Sequence, residues 1–150
     1  MASPVASDLG DDLISGIIEA APDGIVMIDE SGTIVLVNRQ TEALFGYDRG
    51  DLLGQSVERL LPERYRQVHR THRTRYRVEP RTRPMGVGIA LLGLRSDGTE
   101  FPIEISLSPL DAGGAHRAIA MVRDITDRLE SERLLREAAE SVQLLSLIHI

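Results

Sequence analysis

Residues 21–38 read Ala21-Pro22-Asp23-Gly24-Ile25-Val26-Met27-Ile28-Asp29-Glu30-Ser31-Gly32-Thr33-Ile34-Val35-Leu36-Val37-Asn38. Pro22-Asp23-Gly24 stops any preceding helix, because proline brings no donor and glycine loosens the backbone. A strand follows from Ile25 to Asp29, and Glu30-Ser31-Gly32 turns it back into a second strand, Thr33 to Val37. Asn38 then stands where an N-cap belongs, ahead of a short helix that Gly46 closes. A hairpin leading straight into a capped helix is the frame around which the rest is read.

Upstream, Ser7 or Asp8 is expected to cap a helix carrying Leu9, Leu13, Ile14, Ile17 and Ile18, weakened by Gly10 and Gly16. Its apolar stripe must pack on the domain or on a partner helix. Downstream come a helical turn from Arg49 to Leu53, then Gly54, and an anchor of Val57, Leu60 and Leu61 before Pro62 opens a longer helix. At about 3.6 residues per turn, Leu61, Tyr65, His69, His72 and Tyr76 fall within one narrow arc. Arg64, Arg66, Arg70, Arg73, Arg75 and Arg77 spread round the remainder and read as a solvated face. Tyrosine and histidine thus face inward where a core helix presents leucine.

Beyond Pro84 the period becomes alternating. Met85, Val87, Ile89 and Leu91 point one way and Gly86, Gly88 and Ala90 the other. Ser96-Asp97-Gly98 is a second hairpin turn, into Phe101, Ile103, Ile105 and Leu107, and Ala112-Gly113-Gly114 links to a last strand, Ala118 to Ile125. Five strands with short helices between the second and third give an α+β domain on an antiparallel sheet. From Asp124 the pattern is helical again. Leu135, Ala138, Val142 and Leu145 follow a 3, 4, 3 spacing that suits a coiled-coil seam, packing back on the sheet being the alternative. The final Leu145-Ser146-Leu147-Ile148-His149-Ile150 matches the translation of a common transposase sequencing-adapter end. That tail is expected to be foreign, with the natural chain, from an environmental read, continuing past it.

Composition sets bounds. With 150 residues, 42% hydrophobic and 27% charged, one globular core is expected. The absence of cysteine excludes disulfides, thiolate metal sites and cysteine nucleophiles. A formal charge of −6 argues against nucleic acid as partner. All 17 basic residues are arginine, which reads as the codon bias of a GC-rich genome. No apolar run approaches the roughly 20 residues of a membrane span and no leader is evident, so a cytoplasmic module is expected. No Ser/His/Asp order, phosphate loop or catalytic carboxylate pair stands out.

Several strings, in order, resemble the PAS sensor domain family. They are Ala21-Pro22-Asp23-Gly24-Ile25, Ile28-Asp29, Gly32 with Ile34, Val37-Asn38, Leu44-Phe45-Gly46-Tyr47, Leu53-Gly54, Arg95-Ser96-Asp97-Gly98-Thr99-Glu100-Phe101-Pro102 and Asp124-Ile125-Thr126. The resemblance implies a five-stranded antiparallel sheet cupped by helices over a small cavity, with Asp124-Ile125-Thr126 joining it to an output helix. Gln40 departs from the alanine the family often has there. The divisions expected are a flanking helix over 1–18, a PAS domain over 19–127, a coiled-coil-like signalling helix over 128–144 and the foreign tail over 145–150.

The resemblance also bears on what the cavity holds. Flavin adduct chemistry needs a cysteine after Asn38, and RQTEALFGY has none. Pro62 to Tyr76 looks like the haem-bearing helix of oxygen-sensing PAS kinases, with His69 at the position of the proximal iron ligand and Arg75 near that of a distal-side arginine. Ile89, however, stands where those sensors place the arginine that hydrogen-bonds oxygen. A His69/His72 metal site without haem would need a further ligand that the segment does not offer. The residues equally suit a cavity lined by Ile25, Met27, Val35, Leu44, Met85, Val87, Ile89 and Ile105, with Tyr65, His69, His72 and Tyr76 as its polar groups. Such a mix fits a small apolar or amphiphilic metabolite, or no ligand at all.

The expected function is therefore a non-enzymatic sensory and dimerisation module of a larger bacterial signalling protein. A histidine kinase is the first choice of output, with a diguanylate cyclase or serine/threonine phosphatase as alternatives. Homodimerisation through the flanking helices is expected. A haem-bound redox or gas sensor and a ligand-free structural dimer are the other readings.

Overall fold

The computed structural model describes residues 4–66 and 91–148. In chain order these form α1 (Pro4–Ala20), β1 (Gly24–Ile28), β2 (Ile34–Val37), α2 (Arg39–Phe45), α3 (Arg49–Leu52) and a 3-10 turn, Val57–Leu60. Then come β3 (Leu91–Leu94), β4 (Glu100–Ala112), β5 (Ala115–Asp124) and α4 (Thr126–Ile148). Residues 63–66 are also helical. The strands make one five-stranded sheet in the order β2-β1-β5-β4-β3, antiparallel at every pairing, so the α+β architecture is as expected.

Local chemistry explains the turns. Asp29 Oδ1 accepts from the Ser31 and Thr33 amides at 2.9 and 3.0 Å, an Asx turn that closes the first hairpin. Asp97 does the same for Thr99 in the second, where Gly98 supplies a φ of +89°. The outer edge of β2 is covered, since Ile34 N donates to Gln55 O at 2.8 Å and Gly54 N to Ile34 O at 2.9 Å. An edge occupied in this way is closed to a further strand.

The core lies on one face of the sheet. Val26 and Ile28 of β1 sit opposite Ala120 and Ala118 of β5, and Phe101 and Ile103 of β4 continue the same surface. Phe45 of α2 drops onto it, meeting Phe101 edge-on with ring centroids 5.3 Å apart. Gly24 lies under Thr41 and Leu44 of α2 and Gly93 under the Phe45 and Phe101 rings, and the missing Cβ at each lets α2 approach the sheet closely. Among the described residues no helix is long and apolar enough to cross a membrane.

Four details differ from the sequence expectations. Ile25 and Met27, expected to line the cavity, lie on the opposite face, because β1 buries Gly24, Val26 and Ile28 instead. β1 is apolar on both faces, so alternation alone could not orient it. α1 begins at Pro4, ahead of Ser7, since proline is tolerated in a first turn. β4 and β5 run to a tight turn at Gly113-Gly114, whose φ values of +58° and +79° suit a two-residue hairpin. Arg64 is exposed as expected but not free, pairing with Glu100 through two nitrogens at 2.7 and 2.5 Å, while Arg66 is half-buried and its Nε donates to the carbonyls of Glu58 and Leu61 at 3.0 and 3.1 Å.

A Cβ at position 93 would stand 2.9 Å from Phe101 Cε1 and 3.1 Å from Phe45 Cε1. Gly93→Ala is therefore expected to destabilise the domain by about 1–3 kcal/mol through overpacking. Urea unfolding measures it, and an unchanged midpoint would show that the two rings can give way.

Candidate functional site

The core face of the sheet is covered by α2, which the sequence caps at both ends. Asn38 accepts from Thr41 N at 3.1 Å at the start, and Gly46, at φ +74°, donates to Glu42 O at 2.8 Å at the end. Phe45 faces inward from it, with Leu44 and Tyr47 half-buried beside the core. Ile105 and Leu107 of β4 pack half-buried against the same cluster.

Of the expected cavity residues, Leu44 and Ile105 thus pack half-buried against the core face. Tyr65 is 40% exposed, with the Arg64 guanidinium 4.6 Å from its ring centroid. His69, His72, Arg75, Tyr76, Met85, Val87 and Ile89 lie outside the described residues.

The junction at the end of β5 is described in full. Asp124 Oδ1 accepts from Thr126 N at 2.9 Å and from its hydroxyl at 2.5 Å, which caps α4 as a side chain can when the first amides have no helical partner. Between them Ile125 is buried and donates its N–H to Pro102 O at 3.1 Å, pinning the turn to β4. Asp124 Oδ2 lies 3.6 Å from Arg95 Nη2. One turn on, Arg128 pairs with Glu104 on the outer face of β4, and Arg123 grips both oxygens of Asp23 at 3.1 Å. From Thr126 to Leu145 every residue is exposed, Leu135 at 71%. The helix leaves the domain instead of folding back on its own sheet.

Residues 12–125 match the model of the PAS fold. The chain belongs to the PAS family. It is 33% identical over 124 residues to the sensor protein FixL of Bradyrhizobium diazoefficiens, a match covering 83% of this chain and 25% of FixL. With the oxygen sensor protein DosP of Escherichia coli it shares 25% over 132 residues, 88% of this chain and 16% of DosP. Among solved structures, the PAS domain of an HTR-like protein from Haloarcula marismortui superposes with a TM-score of 0.69 at 25% identity, covering 81% of this chain and 96% of that one. The chain therefore spans about a quarter or less of the length of these sensor relatives. PAS is a regulatory sensor fold.

The contacts that sequence reading missed are the Arg95–Asp124, Arg123–Asp23, Arg64–Glu100 and Arg49–Glu19 pairs. Each joins segments far apart in the chain, and no periodicity announces such a partner.

The hydrogen bond from Arg128 holds the Glu104 carboxyl below its ordinary range. A depressed folded pKa means that this fastening is present above the unfolded value of about 4.5 and is lost as pH falls through the folded one. Arg128→Met is expected to return Glu104 to the ordinary range. A carboxyl carbon NMR titration tests this, and an unmoved titration would mean that another group depresses it.

Proposed function

We propose that this PAS domain is the sensory and dimerisation module of a larger bacterial signal-transduction protein, working in the cytoplasm, with a histidine kinase as its output. The observation that carries the reading is the helix α4, fastened at Asp124-Ile125-Thr126 and then exposed with Leu134, Leu135, Val142 and Leu144 uncovered. Apolar side chains in such numbers on a projecting helix call for a second helix. A second copy of α4, joined by the equally bare Leu13, Ile14 and Ile17 of α1, supplies that cover in a homodimer. A small apolar or amphiphilic metabolite between the sheet and the His69, His72 and Tyr76 stripe would bias two arrangements of the sheet, and the junction would pass the difference to α4. In the full-length protein, Asp124→Ala is expected to reduce the stimulus response to its basal level while the melting temperature stays within about 3 °C. An unchanged stimulus response would sink this reading.

The second reading is a haem sensor with His69 as axial ligand. It is favoured by similarity to a protein named as an oxygen sensor, together with the resemblance of residues 62–76 to a haem-bearing helix. Addition of haem should then give a shifted Soret band that His69→Ala abolishes. A band absent from the start, or one that survives the substitution, removes haem.

A further inference from the structure

The α1 helix meets the domain at α2, and the far end of α2 is joined through Arg95 to Asp124, the residue that caps α4. The last turn of α1 is held by polar contacts that land on α2 or its immediate neighbours. Ile18 O accepts from Asn38 Nδ2 at 2.9 Å. Glu19 Oε2 accepts from the Arg39 amide at 3.2 Å, and Glu19 Oε1 from Arg49 Nη2 at 2.7 Å. Arg49 is itself bound to α2, through Glu42 at 2.9 Å. The rest of α1 is bare along Leu13, Ile14 and Ile17, so its position relative to the core is set at this turn.

The other end of α2 presents its carbonyls to the loop before β4. Leu44 O accepts from Arg95 Nε at 3.1 Å, Phe45 O from Ser96 N at 2.9 Å, and Gly46 O from Ser96 Oγ at 2.6 Å. The same Arg95 guanidinium lies 4.0 Å from the centroid of Phe101 and reaches Asp124 Oδ2 at 3.6 Å. Asp124 spends its other oxygen on the cap of α4.

We propose that α2 is a rigid link between the flanking helices, with Arg95 as the positioning residue that joins its C-terminal end to Asp124 and so to α4. The inference rests on the reading of α4 as the output helix. A seven-residue helix capped at both ends moves as a body, so a shift imposed on α1 through Glu19 and Asn38 appears at Leu44 O. Only a planar fork can hold that carbonyl and a carboxylate while lying flat on an aromatic ring, and a lysine ammonium cannot. A partner that moves α1 would then reach the output without a ligand in the cavity, making the domain a relay as well as a receiver.

Amide hydrogen exchange on the whole chain tests this. Glu19→Gln loosens the α1 anchor, and the reading is the Leu129 amide, which donates to Ile125 O in the first turn of α4. Its rate is taken relative to the Ala120 and Val122 amides in the middle of β5, so that a global loss of stability cancels. With Arg95 present, Glu19→Gln is expected to speed Leu129 exchange about three- to fivefold, the scale of one exposed charged contact. In an Arg95→Lys background, which keeps the charge, the same substitution is expected to leave the rate unaltered. Arg49→Met, which breaks the anchor from the other side, should repeat both results. No acceleration with Arg95 present, or equal acceleration in both backgrounds, overturns the proposal. The experiment needs neither stimulus nor output domain, so its failure is separate from that of the sensor reading, which Asp124→Ala in the full-length protein decides.

Discussion

The primary amide of Asn38 holds together four pieces of chain that share no ladder. Its oxygen accepts from Ile25 N at 2.8 Å in β1 and from Thr41 N in α2, and its nitrogen donates to Ile18 O in α1 and to Asp23 O in the turn between them. The side chain is fully buried. A buried amide left unpaired costs on the order of 1–3 kcal/mol, so each of these segments is held to the position that satisfies it. Thr41, equally buried, adds its hydroxyl within 2.9 Å of the Asn38 oxygen and 3.0 Å of Ile25 O. The placement of α2 over the sheet, with Phe45 on Phe101, follows from this cluster.

A second constraint works at the surface. Arg49, Arg64, Arg95, Arg123 and Arg128 each bridge elements distant in sequence, and in every case more than one guanidinium nitrogen or the ring-stacking face is in use. Exposed pairs of this kind contribute little stability singly. Their value here is orientation: they hold α1, residues 63–66 and α4 against the core. Whatever made the chain use arginine alone, the planar fork suits this task better than an ammonium.

Much of the fold was legible because its decisive residues act locally. Asn38, Gly46, Asp97-Gly98 and Pro62 impose caps and turns within a few residues of themselves, and they stand where the sequence pattern puts them. The facing of β1 was not legible, since Ile25 and Met27 are as apolar as Val26 and Ile28 and only the partner strand decides which pair is covered. The length of the β4–β5 ladder was hidden for the same reason: Asp111, His116 and their neighbours carry no alternation, and pairing alone extends the strands. Of the candidate site, the Asp124-Ile125-Thr126 junction was readable as a string, but the Arg95 that braces it was not.

The sequence by itself determined the order of the elements, the antiparallel hairpins, the capped helix after the second strand and the PAS signature, because each depends on short-range backbone chemistry. Tertiary structure alone decided which face of the sheet is the core, that α4 projects with its apolar residues exposed beyond its fastening to β4, and that α1 is fastened at α2. Those outcomes depend on which side chains meet across 30 to 100 residues of chain, as in Arg49 with Glu19 and Arg123 with Asp23, and contacts at that range leave no periodic trace in the sequence.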